Sequence, residues 1–281
     1  MLRQRVITAL ILVGIMFAAL VAPGPWPFAL VTLALLAAGA WEWGRLNGAA
    51  ETVSLALGGL MLLAGIGAVV SGWAGTSLGG LWWVAVAAWT LGGALVLRRG
   101  VPAWPHAPRV LRWLAGLVLL MLAWAALIEA RAVGINFMLS MLCVVWMADV
   151  AAYFGGKAFG RRKLAPAISP GKSWEGVWSG MAGVLLLALV WMALDRSFGF
   201  DGPSLYTRLV QAHGWFVTAL ALLALCMLSV VGDLVESLVK RAAGAKDSSR
   251  LLPGHGGVLD RVDALLPVMP AVLALLSLVP R

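Results

Sequence analysis

Apolar residues run through this chain in long stretches, and polar residues gather in the short segments between them. Nine runs, at roughly 6–22, 25–44, 53–71, 79–97, 110–128, 136–155, 174–194, 213–238 and 259–279, approach the length of a membrane helix, for which about 20 mostly apolar residues suffice. The pattern predicts an all-α fold: a polytopic integral membrane helical bundle of about nine transmembrane helices. No soluble domain, low-complexity linker or strong internal repeat interrupts it. The first four runs carry few chemical groups, whereas the second half holds nearly every reactive side chain. The chain therefore divides into N-terminal transmembrane helices, 1–128, and a C-terminal transmembrane region, 129–281, whose loops hold the candidate catalytic groups.

Composition agrees with this pattern. Hydrophobic residues make up 62% and charged residues 12%, about half the charged share of a soluble domain, and the mean hydropathy is +0.95. Cys143 and Cys226 lie inside apolar runs and read as small core residues, not a disulfide framework. The opening apolar run lacks a clear small-x-small cleavage site and reads as a retained first helix. The formal charge of +9 points to an anionic leaflet or anionic substrates, and nucleic acid is not an expected partner. With the N-terminus cytoplasmic, all of the 21 basic residues except Arg131, Arg196, Arg208 and Arg281 fall on the inner side. That asymmetry predicts a cytoplasmic N-terminus and an outer C-terminus.

Two inner stretches mix acids with bases. In the later one, Asp233, Glu236, Ser237 and Lys240 are spaced to share one helix face. A carboxylate near a span end is costly unless it is paired or bound to a cation. It reads either as a metal ligand or, more blandly, as part of a Glu236–Lys240 pair. Asp260 and Asp263 open the last run with Arg261 between them, where simple helix capping is the plain alternative. Hard ions such as Mg²⁺ need only one or two protein carboxylates plus substrate phosphates, a count that Asp233 and Asp260 supply. In "PGHGG", Gly256 and Gly257 let the backbone approach a phosphate and turn through positive φ, and His255 reads as a loop residue or a chemical group. The earlier stretch is "DVAAYFGGKAFGRRKLAPAISPGKSWEG", Asp149 to Gly176. Arg161, Arg162 and Lys163 read as leaflet-facing charge. Ser169, Lys172 and Ser173 form a turn before a span, suited to phosphate at a helix N-terminus, and Asp149 and Lys157 add a second charged pair. The Trp residues read as interface anchors and packing groups.

The residues "SLVKRAAGAKDSSRLLPGHGGVLDRVD", Ser237 to Asp263, resemble the C-terminal signature of the CDP-diacylglycerol synthase family, the phosphatidate cytidylyltransferases, with every position filled. The Asp149–Gly176 stretch is similar to that family's second conserved loop, with Gly171 where many members carry a second Lys. The resemblance covers the second half, while the first half matches only as a generic set of spans. It implies transfer of CMP from CTP to phosphatidic acid, giving CDP-diacylglycerol and pyrophosphate, in phospholipid biosynthesis at a bacterial-type cytoplasmic (inner) membrane with the site at the cytoplasmic face. It implies Mg²⁺ on Asp233 and Asp260, and a second, monovalent cation such as K⁺. Lys240 and Arg241 are then catalytic with the two Asp. Ser169, Lys172, Ser173, Ser237, Lys246, Asp247, His255, Gly256, Gly257, Arg261 and Asp263 are substrate-binding.

The residue types suit such chemistry, because phosphoryl transfer asks for positioning and charge neutralisation and not for a Ser or Cys nucleophile. Three rival readings exist, one of them a catalytically inactive scaffold, against which the intact signature argues. A transporter would use Asp149, Asp233 and Asp260 along an ion path, but the charges cluster at one face and no inverted repeat is visible. An enzyme consuming CDP-diacylglycerol would show a different Asp-rich pattern. A small-residue face at Gly176, Gly180 and Gly183 suggests a homodimer.

Overall fold

The computed structural model describes residues 2–279. Arg281 and the side chains of Arg3 and Arg5, counted in the charge asymmetry, lie outside what is described. The chain is helical almost throughout. It runs α1 (Leu2–Val21), α2 (Trp26–Leu46), α3 (Glu51–Val70), then α4 (Leu81–Ala87), which passes through a π segment, Ala88–Gly92, into α5 (Gly93–Arg99). After a 3₁₀ segment, Val101–His106, come α6 (Arg109–Val133), α7 (Ile135–Phe159), the strands β1 (Lys163–Ala165) and β2 (Ser169–Ser173), α8 (Trp174–Ser197), α9 (Leu205–Ala242), α10 (Leu259–Val262) and α11 (Leu265–Leu276). Among the described residues seven helices are long and apolar enough to cross a membrane. Their outward faces carry large apolar residues, Leu63, Leu91, Leu186 and Phe216 among them, as lipid contact requires. The all-α membrane bundle stands, while the count of nine does not emerge.

The difference lies at the two ends. At the first, the apolar stretch described for α1 is Val6–Val21. The expected last span is broken: α10 and α11 are separate, and α11 has only 12 residues. At 1.5 Å per residue that is about 18 Å, short of a hydrocarbon core of about 30 Å. α11 is instead a core helix, buried at every position from Leu265 to Ala274 and packed against α4, α6, α7 and α9. A helix apolar on all sides belongs inside. The two halves of the chain accordingly share one continuous core, which includes Leu33 and Trp124 from the first and Val184 and Val272 from the second.

The Gly176, Gly180 and Gly183 row does not serve as an outward face. A Cβ at Gly180 would meet the Ala148 carbonyl oxygen at 2.9 Å, and one at Gly183 would meet the Ala151 Cβ at 2.6 Å. The row lets α8 pack tightly on α7 within the chain, as small residues do in membrane helices, so it carries no argument for a homodimer.

α9 starts earlier than its apolar run and bends at Gly214, whose φ is 75°. At that end Asp195 accepts from the Ser204 N–H at 3.0 Å and Asp201 accepts from the Asn136 N–H at 3.0 Å. Ser204 caps α9 with Asp195 behind it, and Asp201 accepts from the first turn of α7. At the opposite end the segment read as a turn is an antiparallel hairpin, with Lys163 paired to Ser173 and Ala165 to Ser169. The hairpin delivers Ser173 as the N-cap of α8, accepting from the Gly176 N–H at 3.2 Å.

Candidate active site

α9 presents Asp233, Glu236, Ser237 and Lys240 between the hairpin and the loop before α10. On the hairpin side Lys172 of β2 places Nζ 2.5 Å from Asp233 Oδ2, and the Ser237 hydroxyl donates to Asp233 Oδ1 at 3.2 Å. On the loop side Lys240 Nζ lies 2.5 Å from Glu236 Oε2 and 2.6 Å from Asp260 Oδ1. The two charged stretches, distant in sequence, thus meet across one helix. Gly232 makes the loop side possible: a Cβ there would stand 2.4 Å from the Asp263 carbonyl oxygen.

Asp260 is held from several directions. Its Oδ2 accepts from the Gly257 N–H at 2.8 Å and the Ser248 N–H at 2.9 Å, with the Ser248 hydroxyl at 2.8 Å. Burial acts to raise this carboxyl, but the Lys240 ammonium and the two backbone donors outweigh it, and Asp260 lies below the ordinary carboxylate pKa.

Two cavities lie near the site, one against α9 and one beside the loop that follows it. One, of about 490 Å³, is lined by Asp149, Lys157, Ser169, Lys172, Ser173 and Asp233 on its polar side and by Ala148, Val177, Met181 and Val230 on its apolar side. The other, of about 560 Å³, is lined by Arg45, Lys246, Asp247, Ser248, Ser249 and Arg250. The first has the mixed lining of a lipid headgroup site, and the second has the charge for a polyanion.

The sequence-predicted residues separate accordingly. Ser169, Lys172, Ser173 and Asp233 line the first cavity, together with Asp149 and Lys157. Lys246 and Asp247 line the second, as does Ser248, which donates to Asp260, the partner of Lys240. Others are engaged elsewhere. Arg241 donates to the Ile168 and Ala245 carbonyls at 3.3 and 3.2 Å, clamping the hairpin to α9. Arg261 donates through Nε to the His255 carbonyl at 3.1 Å, while His255 Nδ1 is buried without a protein partner. Asp263 Oδ1 accepts from the Ala264 N–H at 2.8 Å. The reading of the two loop glycines needs correction. Gly256 carries the positive φ, 82°, whereas Gly257 does not. A Cβ on Gly257 would strike the chain's own Ser248 Oγ at 2.1 Å and Glu42 Oε1 at 2.3 Å.

Glu42 is the residue that sequence reasoning passed over. It sits in α2, in a region read as chemically quiet, and its carboxylate is fully buried, 0% exposed. It accepts from the Val258 N–H at 2.9 Å, the Leu259 N–H at 2.8 Å and the Ser249 hydroxyl at 2.6 Å, and stands 3.1 Å from the Ser248 hydroxyl. The available signal was a lone acid inside an apolar run.

Among the described residues no three His, Cys, Asp or Glu side chains converge as a metal cage. The donor chemistry still fits Mg²⁺. The cluster offers carboxylate oxygens without Cys sulfur, and Mg²⁺ is commonly held by one or two carboxylates together with substrate phosphates.

Comparison with known proteins follows the same line. Residues 3–279 match the cytidylyltransferase family. The chain is 38% identical to a phosphatidate cytidylyltransferase of Pseudomonas aeruginosa, over 98% of this chain and 97% of the relative. It is 33% identical to one of Haemophilus influenzae, over 96% of each, and 36% identical to one of Brucella melitensis, over 94% of this chain and 89% of the relative. The first half is therefore related along its length, beyond a generic set of spans. With nearly the whole chain covered and the charged signature intact, this protein belongs to the cytidylyltransferase family.

Proposed function

We propose that the chain is a phosphatidate cytidylyltransferase, transferring CMP from CTP to phosphatidate with release of pyrophosphate. The observation that carries this reading is the meeting of the two charged stretches on α9 through Lys172–Asp233 and Lys240–Asp260, with an amphipathic cavity against α9 and a basic one between the end of α2 and the loop after α9. In the reaction a phosphate oxygen of the lipid attacks the α-phosphorus of CTP. The bond from that phosphorus to the oxygen bridging toward the β-phosphate breaks, and pyrophosphate takes the electron pair. No protein nucleophile is needed.

The apolar wall of the first cavity accepts the lipid while Lys172 and Lys157 face its phosphate. Lys246, Arg45 and Arg250 at the second cavity attract the triphosphate. Lys172 lies on Asp233, and Lys240 lies on Glu236 and Asp260. Phosphates that pair with the ammonium groups of Lys172 and Lys240 would free oxygens of Asp233 and Asp260, the residues that would hold Mg²⁺. Bound there, Mg²⁺ would supply Lewis-acid polarisation and charge neutralisation at the phosphates. The distribution of basic residues supports a cytoplasmic site, where CTP is supplied. The test is incubation of purified protein with labelled CTP and phosphatidate. Labelled CDP-diacylglycerol should form with Mg²⁺ and fall to background with a chelator; no product under either condition refutes the reading.

A further inference from the structure

We propose that Glu42 is a positioning residue for this reaction: from α2 it holds the 248–259 loop in the shape that orients Asp260 toward the substrates. The inference rests on the functional reading above for what the loop does, but the hold itself stands on geometry. A carboxylate removed from water survives only where donors replace its hydration. The donors to Glu42 come from the loop, 206 to 217 residues away in sequence: two backbone N–H groups and the Ser249 hydroxyl, with the Ser248 hydroxyl facing the other oxygen.

Two features tie this hold to the site and not to the bundle at large. The Ser248 hydroxyl stands between Glu42 Oε2, at 3.1 Å, and Asp260 Oδ2, at 2.8 Å. It has one proton, so it serves one carboxylate at a time and couples their positions. The second feature is Gly257. Its missing Cβ is the space into which the Glu42 carboxylate reaches, and its N–H is the donor to Asp260 at 2.8 Å. Moving Glu42 therefore moves the backbone that orients Asp260.

Glu42→Gln keeps the side-chain shape and replaces one acceptor oxygen with a donor. In either amide orientation a backbone N–H, of Val258 or of Leu259, then faces an NH₂ group. In the full-length detergent-purified enzyme, kcat/KM for CTP per folded molecule should drop about 10- to 100-fold, the effect of leaving one buried donor unpaired. The KM for CTP should rise while the KM for phosphatidate holds. Adding Ser248→Ala should cost less than the product of the two single effects, because both act through one network. A second readout needs no turnover. In a background without Cys143 and Cys226, Val258→Cys, at a site only 3% exposed, should react slowly with a water-soluble maleimide, and much faster once Glu42→Gln is added. Wild-type constants for Glu42→Gln, or a loss explained wholly by less folded protein with unchanged KM values, would overturn the proposal. If Glu42→Gln does not accumulate, Ser249→Ala removes one donor and should raise the KM for CTP several-fold; wild-type behaviour there overturns it equally. If the unmodified chain makes no CDP-diacylglycerol, the functional reading fails, and the maleimide experiment still decides whether Glu42 holds the loop.

Discussion

Lys240 tests the site most sharply, because its two possible roles separate by experiment. Its side chain is 11% exposed and lies between Glu236, 4% exposed, and Asp260, 9% exposed. Apart from the Lys240 ammonium at 2.5 Å, neither Glu236 oxygen has a partner, so that ammonium is its compensation. Lys240→Ala strands a buried carboxylate, which costs about 3–5 kcal/mol where one partner of a buried pair is removed. Asp260 keeps its two backbone donors and suffers less. Turnover should also drop, by about 100-fold or more if the ammonium stabilises charge at the phosphates. The double variant Glu236→Gln, Lys240→Met removes both charges at similar volume and should restore most of the stability. It should not restore turnover. Thermal unfolding in detergent reads the first quantity and product formation from labelled CTP the second. Wild-type stability in Lys240→Ala would refute the buried-pair argument. Recovery of turnover together with stability in the double variant would show that Lys240 only neutralises Glu236, and its action on phosphate would be wrong. Arg98→Ala, an exposed change at the end of α5, is the control and should be mild; damage equal to that of Lys240→Ala would mean a diffuse basic field.

Asp233→Asn and Asp260→Asn should each abolish turnover while leaving the protein in the membrane, since an amide keeps the shape and loses the charge that would hold Mg²⁺; near wild-type rates at ordinary Mg²⁺ would remove that residue from the ligand set. Gly257→Val should be severely damaging through collision with Ser248 and Glu42, read as lost activity and a loop open to protease, and an active, protected variant would contradict the packing. Single-cysteine labelling should place Arg250→Cys on the cytoplasmic side and Gly199→Cys outside, and the reverse pattern would invert the access route for CTP.

Much of this protein is legible in one dimension because its solvent is. A bilayer demands long apolar runs, so the helices between α2 and α9 could be placed from hydropathy alone. The charges of the signature could be found because an oily chain has so few of them. Helical spacing was enough to align Asp233 with Glu236, Ser237 and Lys240, since that relation is local. Hydropathy could not distinguish a helix apolar because lipid surrounds it from one apolar because protein does, and α11 was read as a span for that reason. Nor could spacing reveal partners. The choice of Lys172 for Asp233 and of Asp260 for Lys240, the use of the α8 glycine row on α7, and the reach of Glu42 into the loop all depend on which helices lie side by side. Those contacts join residues far apart in sequence, and packing of the whole bundle decides them.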